Sequence, residues 1–317
     1  MTVIIRAAST DDEDLAAVER VINAASPEDG TSLEDLRWSD RAYPGIVRFL
    51  AELDGRPVGA ATVGRIFVHP PEFEALWATV DVLPRARRIG IGGALLAATA
   101  RTAEAAEKTH LHVPAVADRA EAIAFLERRG FVEHERMRSV RLDLAAISRP
   151  QDDPPNGIEL TDLAARPDLV AGVHAVAVEA FQDIPGGDGP IAPGDLAEFR
   201  ARDVDRPGFP PDAFVVALEQ SSGRVVGYAA LQLKPGSPTI AWHDMTAVVR
   251  AWRRRGLATA LKRRTIAWAL DHELVALETG SDEANLGMQA VNARLGYRPL
   301  PDLLTMRGPL GRAKMTR

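Results

Sequence analysis

Residues 77–100 read WATVDVLPRARRIGIGGALLAATA and residues 242–270 read WHDMTAVVRAWRRRGLATALKRRTIAWAL; in each, a strand runs into an arginine and glycine loop and then a helix. The junction carries the information. A glycine there lets backbone N–H groups converge at a helix N-terminus, where the positive end of the dipole stabilises phosphate and no Cβ obstructs close approach. Both loops are expected to bind a pyrophosphate, with Arg87, Arg88, Arg253, Arg254 and Arg255 adding charge-assisted hydrogen bonds.

Working outward, the two stretches are copies of one unit. Arg253 minus Arg87, Gly256 minus Gly90, Ala258 minus Gly92, Gly296 minus Gly130 and Tyr297 minus Phe131 all give 166, without a gap over more than forty residues. Upstream, DGRPVGAA (Asp54–Ala61) matches SGRVVGYAA (Ser222–Ala230), Gly227 minus Gly59 giving 168, and both read as β-hairpins. A repeat of this length means one fold used twice. Each half reads as strand, one or two helices, hairpin, strand, glycine loop, helix, strand, helix and strand. The sharpest compositional break, SRPQDDPPNG at Ser148–Gly157, places the boundary, with domains over residues 1–148 and 157–317.

Composition agrees. The 317 residues, at roughly 150 per domain, suit two domains, and 46% apolar with 26% charged residues is a globular balance. A net charge of −6 disfavours nucleic acid and anionic membranes as partners and points to a small molecule. The absence of cysteine excludes disulfides, thiolate zinc sites and a cysteine nucleophile. No metal is expected, since His110 and His112 alternate on a strand without a third ligand in view. The N-terminus lacks the basic and apolar regions of a secretory signal, and the longest apolar stretch, Ile89–Ala100, is too short to span a bilayer. A cytoplasmic protein with no membrane segment is the expectation.

These residues resemble the GNAT superfamily of acetyl-coenzyme A-dependent N-acetyltransferases. Its signature is R/Q-x-x-G-x-G/A after a V-x-P-like strand end, with G-F or G-Y further on. The first half shows Val82, Pro84, Arg87, Gly90, Gly92 and Gly130-Phe131; the second shows Val248, Arg253, Gly256, Ala258 and Gly296-Tyr297, with Arg250 at the proline's place. One copy alone is a weak pattern, but two in register span nearly the whole chain. A dinucleotide fingerprint is disfavoured because Leu95 stands at its third glycine, and no G-x-x-x-x-G-K-[ST] exists.

The resemblance implies an α/β (α+β) chain of two tandem GNAT-like domains, each a mixed, mostly antiparallel central sheet flanked by helices, paired as an intramolecular pseudo-dimer. It implies acetyl-coenzyme A as donor, held in the second half by Val248, Val249, Arg253, Arg254, Arg255, Gly256, Leu257, Ala258, Thr259 and Asn285. The corresponding first-half residues are Val82, Arg87, Arg88, Gly90, Ile91, Gly92 and Gly93.

Acetyl transfer to an alkyl amine, which is mostly protonated at neutral pH, needs a base on or beside the strand before the loop. In the second half the period of two puts Asp244 and Thr246 on the face of Val248, with His243 facing the other way. At an offset of 166 these align Asp244 with Ala78 and His243 with Trp77, neither titratable, so the second half is expected to be catalytic and the first degenerate. Asp244 is the candidate base, against the plainer role of bonding a neighbouring strand end, and Glu278 is the reserve.

The resemblance further implies a helix N-x-x-A-x-x-x-Y-x-x-x-G-F whose asparagine contacts the cofactor and whose tyrosine protonates the departing thiolate. Asn285 keeps the first position and Asn292 replaces the tyrosine; the first half has Arg119 and Leu126 there. An asparagine amide can hydrogen-bond sulfur but is no acid, so Tyr228 is a substitute donor, and a thiol near 8.5 needs only weak help. Asp183 and Asp188, in the Phe181–Pro193 loop, are candidates to attract a cationic amine, against the plainer reading of a flexible surface loop. Trp242, Trp252 and Trp268 line a pocket or, for Trp268 above all, the core. The expected acceptor is a small-molecule or peptide amine; the alternative is a coenzyme A-binding regulatory or scaffold module without catalysis.

Overall fold

The computed structural model describes residues 2–186 and 188–311. The chain forms two compact units, residues 1–136 with 302–317 and residues 137–301. In unit 1, β1 (Val3–Ala7), α1 (Asp12–Ala25) and α2 (Leu33–Ala42) precede the hairpin β2 (Val47–Leu53) and β3 (Arg56–Arg65). β4 (Ala75–Val82), α3 (Ile91–Ala105), β5 (His110–Val116) and α4 (Ala120–Glu127) follow. β6 (Val132–Asp143) carries the chain into unit 2, which contains β7 (Ile158–Asp162), α5 (Val170–Phe181), α6 (Leu196–Phe199), β8 (Phe214–Glu219) and β9 (Arg224–Lys234). It continues with β10 (Ser237–Val248), α7 (Leu257–Asp271), β11 (Ala276–Asp282), α8 (Leu286–Arg294) and β12 (Arg298–Pro299), and β13 (Leu303–Pro309) belongs to unit 1 again.

Both units have the expected mixed, mostly antiparallel sheet. In unit 1 the order is β1-β2-β3-β4-β5-β13, and in unit 2 it is β7-β8-β9-β10-β11-β6, with β4–β5 and β10–β11 the parallel pairs. The sixth strand of each sheet thus comes from the other half of the sequence, and the proline-rich Ser148–Gly157 stretch lies within unit 2. Sequence order follows covalent neighbours, whereas the units follow strand pairing. Gly308 on β13 leaves the space that the ring of Phe131 fills.

The repeat is visible at single residues. A Cβ on Gly59 would sit 2.9 Å from Leu95 of α3, and one on Gly227 would sit 3.1 Å from Leu261 of α7, so both hairpins need glycine for a helix to approach. Val58 and Val226 are the extra residues of matching β-bulges. In each unit the parallel pair lasts three residues, Ala75–Trp77 with His110–His112 and Ile240–Trp242 with Ala276–Glu278, after which the parallel register ends; in unit 2 the Thr279 hydroxyl then donates to the His243 carbonyl at 2.8 Å.

One irregularity is not repeated. β4 pairs with β3 without a slip, but β10 shifts against β9 between His243 and Thr246, so Asp244 and Met245 together oppose one residue, Ala230. The constant offset of 166 therefore fails upstream of the bulge. Trp242 takes the place of Trp77 and His243 that of Ala78, while Asp244 and Met245 share the place of Thr79. No helix among the described residues is long and apolar enough to cross a membrane.

Candidate active site

The two phosphate loops have the same backbone. Arg87 and Arg253 are extended, Arg88 and Arg254 are left-handed with φ 68° and 60°, and Gly90 and Gly256 cap their helices with φ 92° and 87°. Arg87 Nε donates to the Val82 carbonyl at 3.0 Å and Arg253 Nε to the Val248 carbonyl at 2.9 Å, pinning each loop to the strand before it. A Cβ built on Gly90 or Gly256 meets nothing within 4 Å, so open space lies before first-turn amides that have no helical partner. This concave run of N–H donors flanked by guanidinium groups fits a pyrophosphate. Beside the second loop lies a cavity of about 390 Å³, lined by Arg255, Gly256, Thr259, Ala260 and Arg263 on one side and residues 153–156 on the other.

The loops differ in their charge partners. Asp183 accepts from Arg250 at 2.7 and 2.8 Å and from Arg253 at 2.7 Å, and these guanidinium groups hold its carboxyl well below the usual carboxylate range. In unit 1, Pro84 stands at the place of Arg250, and Arg87 donates to backbone carbonyls, those of Val82 and Ala25, while its charge also acts on Asp81. The last helices of the two units differ as well. Asn285 Oδ1 accepts from Met288 N–H at 3.1 Å, capping α8, while Arg119 at the corresponding place pairs with Glu28 at 2.6 Å. Phe125 of α4 lies against Gly92, where unit 2 has Val291 and Ala258.

Below the second loop the bulge organises a group of oxygens. Asp244 is half-buried and accepts from the Met245 N–H; burial pushes its carboxyl above the ordinary range. Tyr228 is 2% exposed, stacked on Phe214 at 5.5 Å, and its hydroxyl is made a weaker acid by burial and by the charges of Asp203 and Asp244. Gly227 faces α7, so alternation turns Tyr228 to the opposite face of the sheet. Asp203 lies on the turn that continues α6, over Arg200–Val204, where the Asp205 N–H reaches back to the Arg200 carbonyl at 2.8 Å, five residues away. A π-turn of this kind redirects side chains and recurs at functional sites. Burial, then the charge of Asp244, push the Asp203 carboxyl up to about 7 against the opposing pull of Arg202 and Arg206. The buried Thr246 Oγ1 has no hydrogen-bond partner among the described residues.

Asp203 is the residue that sequence reasoning missed. Its only signal was a carboxylate in the segment before the hairpin, among several others. Glu278, the reserve base, is held by Arg141 at 2.9 Å and Lys234 at 2.6 Å. Asn292 is 2% exposed with its Oδ1 unpartnered, at the place where unit 1 has the core residue Leu126. His110 and His112 lie on β5, the latter buried with its ring edge-on to Phe73 at 5.9 Å. Trp252 is core, whereas Trp268 is half-buried, stacked on His272 at 3.8 Å and donating to Asp212.

On the α7 side of β10 the sequence also hid a buried polar group. His243, fully buried, bonds Tyr297 Oη at 3.1 Å through Nδ1 and Thr265 Oγ1 at 3.3 Å through Nε2. Thr265 donates to the Lys262 carbonyl at 2.9 Å, so Nε2 carries the proton and the ring is neutral, as its depressed basicity from burial requires. Lys262 is 1% exposed, its Nζ 5.2 Å from the Tyr297 ring, and burial drives it down to about 7. Unit 1 has Ala78, Phe131, Thr99 and Leu96 in these places, an apolar core but for the threonine.

Similarity to known structures spans the whole chain. A tandem GNAT protein from the clavulanic acid biosynthesis pathway superposes with a TM-score of 0.79 at 23% identity, covering 98% of this chain and 99% of its own. A GCN5-related N-acetyltransferase from Sphaerobacter thermophilus gives 0.71 at 20% identity, over 97% and 96%. At these identities the likeness is one of fold. No curated protein matches the sequence. The sequence model of the acetyltransferase (GNAT) family, however, matches residues 15–131 and again 178–297, so the chain belongs to that family twice over, and its general chemistry is acyl transfer to nitrogen.

Proposed function

We propose that unit 2 moves an acetyl group from acetyl-coenzyme A directly to an amine of a small-molecule or peptide acceptor, and that unit 1 is a non-catalytic copy. The observation that supports this reading is the bulge at Asp244–Met245, which puts a carboxylate on β10 where the regular β4 has Thr79; the carboxylate that β4 does carry, Asp81, lies two residues nearer the loop and accepts from the Ser26 hydroxyl at 2.9 Å. The amides of residues 253–259, with Arg253 to Arg255, form the cradle for the pyrophosphate, and Val248 and Val249 line the strand end beside it. Acetyl-coenzyme A, when bound, supplies the acetyl group as a thioester.

Asp244 accepts the proton of the attacking amine, and burial, by raising its carboxyl, makes it a stronger base than an exposed aspartate. Backbone N–H groups near Val248, freed where β10 and β11 part, donate to the charge developing on the acetyl oxygen. Asn292 offers its amide N–H groups to the leaving sulfur. Tyr228, a weaker acid for its burial beside two carboxylates, serves the acceptor side instead. A second reading, a coenzyme A-responsive binding module, is favoured by Asn292 at the place of an acidic tyrosine. Asp244→Asn separates the two: an enzyme loses about 10²- to 10⁴-fold in kcat at constant cofactor affinity, whereas a binding module is indifferent.

A further inference from the structure

One residue of β10 is gripped from three sides, and it is the residue just before the bulge. The His243 imidazole bonds Tyr297 Oη at 3.1 Å through Nδ1 and Thr265 Oγ1 at 3.3 Å through Nε2. Its backbone carbonyl accepts from Thr279 Oγ1 at 2.8 Å. The three partners come from separate places in unit 2: the turn after α8, helix α7 and strand β11. All four side chains are buried, and a buried network whose members are all bonded is rigid. The point held is where regular pairing stops. The parallel register of β10 with β11 ends at Trp242–Glu278, and the antiparallel register with β9 slips directly after His243.

Unit 1 has the same layer without the grip. Thr99 donates to the Leu96 carbonyl at 2.8 Å as Thr265 does to that of Lys262 at 2.9 Å, so in both units the threonine hydrogen is committed to its own helix. Around it, Ala78, Phe131 and Val113 stand in place of His243, Tyr297 and Thr279, and β4 has no bulge. The imidazole, its partners and the bulge are present together in one unit and absent together from the other. The link to the carboxylate is short. Asp244 accepts from the N–H of Met245, the other residue of the bulge, so the backbone there sets where the carboxylate points.

Resting on the acetyltransferase reading of unit 2, we infer that His243 is a positioning residue for that reaction: held by Tyr297, Thr265 and Thr279, it fixes the β10 bulge and with it the direction of the Asp244 carboxylate. His243 touches no reacting atom and moves no proton. Because the Thr265 hydrogen is already given to Lys262, the threonine oxygen can only accept from Nε2–H, which leaves Nδ1 to accept from the Tyr297 hydroxyl. Burial keeps the ring neutral, so this pattern of donors and acceptors does not change near neutral pH. A bulge inserts a residue with no ladder partner and is a place where the strand can bend. Proton transfer is steep in geometry, and a misplacement of about 1 Å costs on the order of a hundred-fold in rate.

The test uses the full chain with Tyr297→Phe and Thr279→Val, which copy residues that unit 1 packs in its own core, Phe131 and Val113, so both variants are expected to fold. Nitrogen-15 NMR of the imidazoles, with His243 assigned by its loss in His243→Ala, is expected to show a neutral Nε2–H tautomer around pH 7. Acetyl-coenzyme A consumption is then followed against spermidine, glucosamine, 4-anisidine and a peptide N-terminus. Both variants are expected to lose roughly ten- to hundred-fold in kcat, with acetyl-coenzyme A affinity by calorimetry unchanged. Thr279→Ser keeps the hydroxyl and is expected to stay within about three-fold of wild type. A merely structural bond lowers the denaturant midpoint and leaves kcat alone. A His243 ring that is cationic or protonated on Nδ1, a kcat unmoved in both variants, or a Thr279→Ser as impaired as Thr279→Val overturns the positioning role and leaves acetyl transfer standing. Cofactor binding with none of the amines acetylated overturns the role together with the catalytic reading of unit 2. No binding of acetyl-coenzyme A overturns the acetyltransferase reading itself, and the role with it.

Discussion

The two units share a sheet order, a hairpin bulge and a phosphate loop, yet differ in the titratable groups they bury: unit 1 has Asp81 near the end of β4, and unit 2 has Asp244 and His243 at the β10 bulge. Unit 1 has Ala78, Leu96, Phe131 and Leu126 where unit 2 has His243, Lys262, Tyr297 and Asn292. Its β4 runs straight where β10 bulges. Its helix carboxylate Asp40 is bonded to arginine where Asp203 is not. Burying ionisable groups costs stability, and unit 1 bears that cost at other places, at Asp81 and Arg129, rather than in the layer between its β4 and α3. The difference teaches that the scaffold needs its glycines and apolar faces, while the polar interior of unit 2 answers to chemistry.

The comparison can be sharpened first through pH. Burial, then the charge of Asp244, push the Asp203 carboxyl up to about 7 against the opposing pull of Arg202 and Arg206. The two carboxyls titrate as a coupled pair, which below that value already holds a proton. The kcat/KM for an alkyl amine is therefore expected to fall about ten-fold per pH unit below pH 7 and to level above it. Arg206→Gln, which removes a cation that lowers both carboxyls, should move the inflection upward. A profile flat from pH 5 to 8 removes the carboxylate from the mechanism.

A second test acts on stability. Lys262 is held at about 7 in the native state against an ordinary 10.5, so between those values the unfolded chain binds a proton that the native one does not. Stability consequently rises with pH across that window, and the penalty is full below it. Lys262→Met, which approximates Leu96 of unit 1, should stabilise unit 2 by about 2–4 kcal/mol at pH 6 and by little at pH 10. Denaturant unfolding at the two pH values checks this, and equal stabilisation at both contradicts it.

The smallest effect is expected at the loop. Asp183 occupies Arg250 and Arg253, a contact with no counterpart in unit 1. Asp183→Asn should tighten acetyl-coenzyme A binding two- to five-fold by releasing guanidinium charge, an effect that shrinks in high salt. Weaker binding would mean that Asp183 positions the arginines for the phosphate rather than competing with it.

Much of this was legible in the sequence because the features were punctuation. Gly59, Gly227, Gly90 and Gly256 mark places where only glycine permits the approach or the left-handed cap, and their spacing exposed both the repeat and the loops. The β10 bulge was hidden because its extra residue is neither glycine nor proline, and the downstream offset of 166 stayed constant past it. Asp203 was hidden because a π-turn inside a short helix has no compositional mark. The strands β6 and β13 pair in the sheet of the other half, which a reading by sequence neighbours cannot anticipate. Lys262 was within reach, since 262 minus 166 is the buried Leu96, and a lysine aligned with a core leucine is a signal in itself.

The most direct test of the division of labour between the units is a calorimetric titration of the full chain with acetyl-coenzyme A, comparing wild type, Gly256→Glu and Gly90→Glu. Each substitution places a bulky anion in the open space before a helix N-terminus, at a left-handed glycine. Saturable binding by wild type that is abolished in Gly256→Glu and kept in Gly90→Glu is the predicted result. Binding that survives Gly256→Glu and disappears in Gly90→Glu would contradict the assignment of the cofactor, and with it the chemistry, to unit 2.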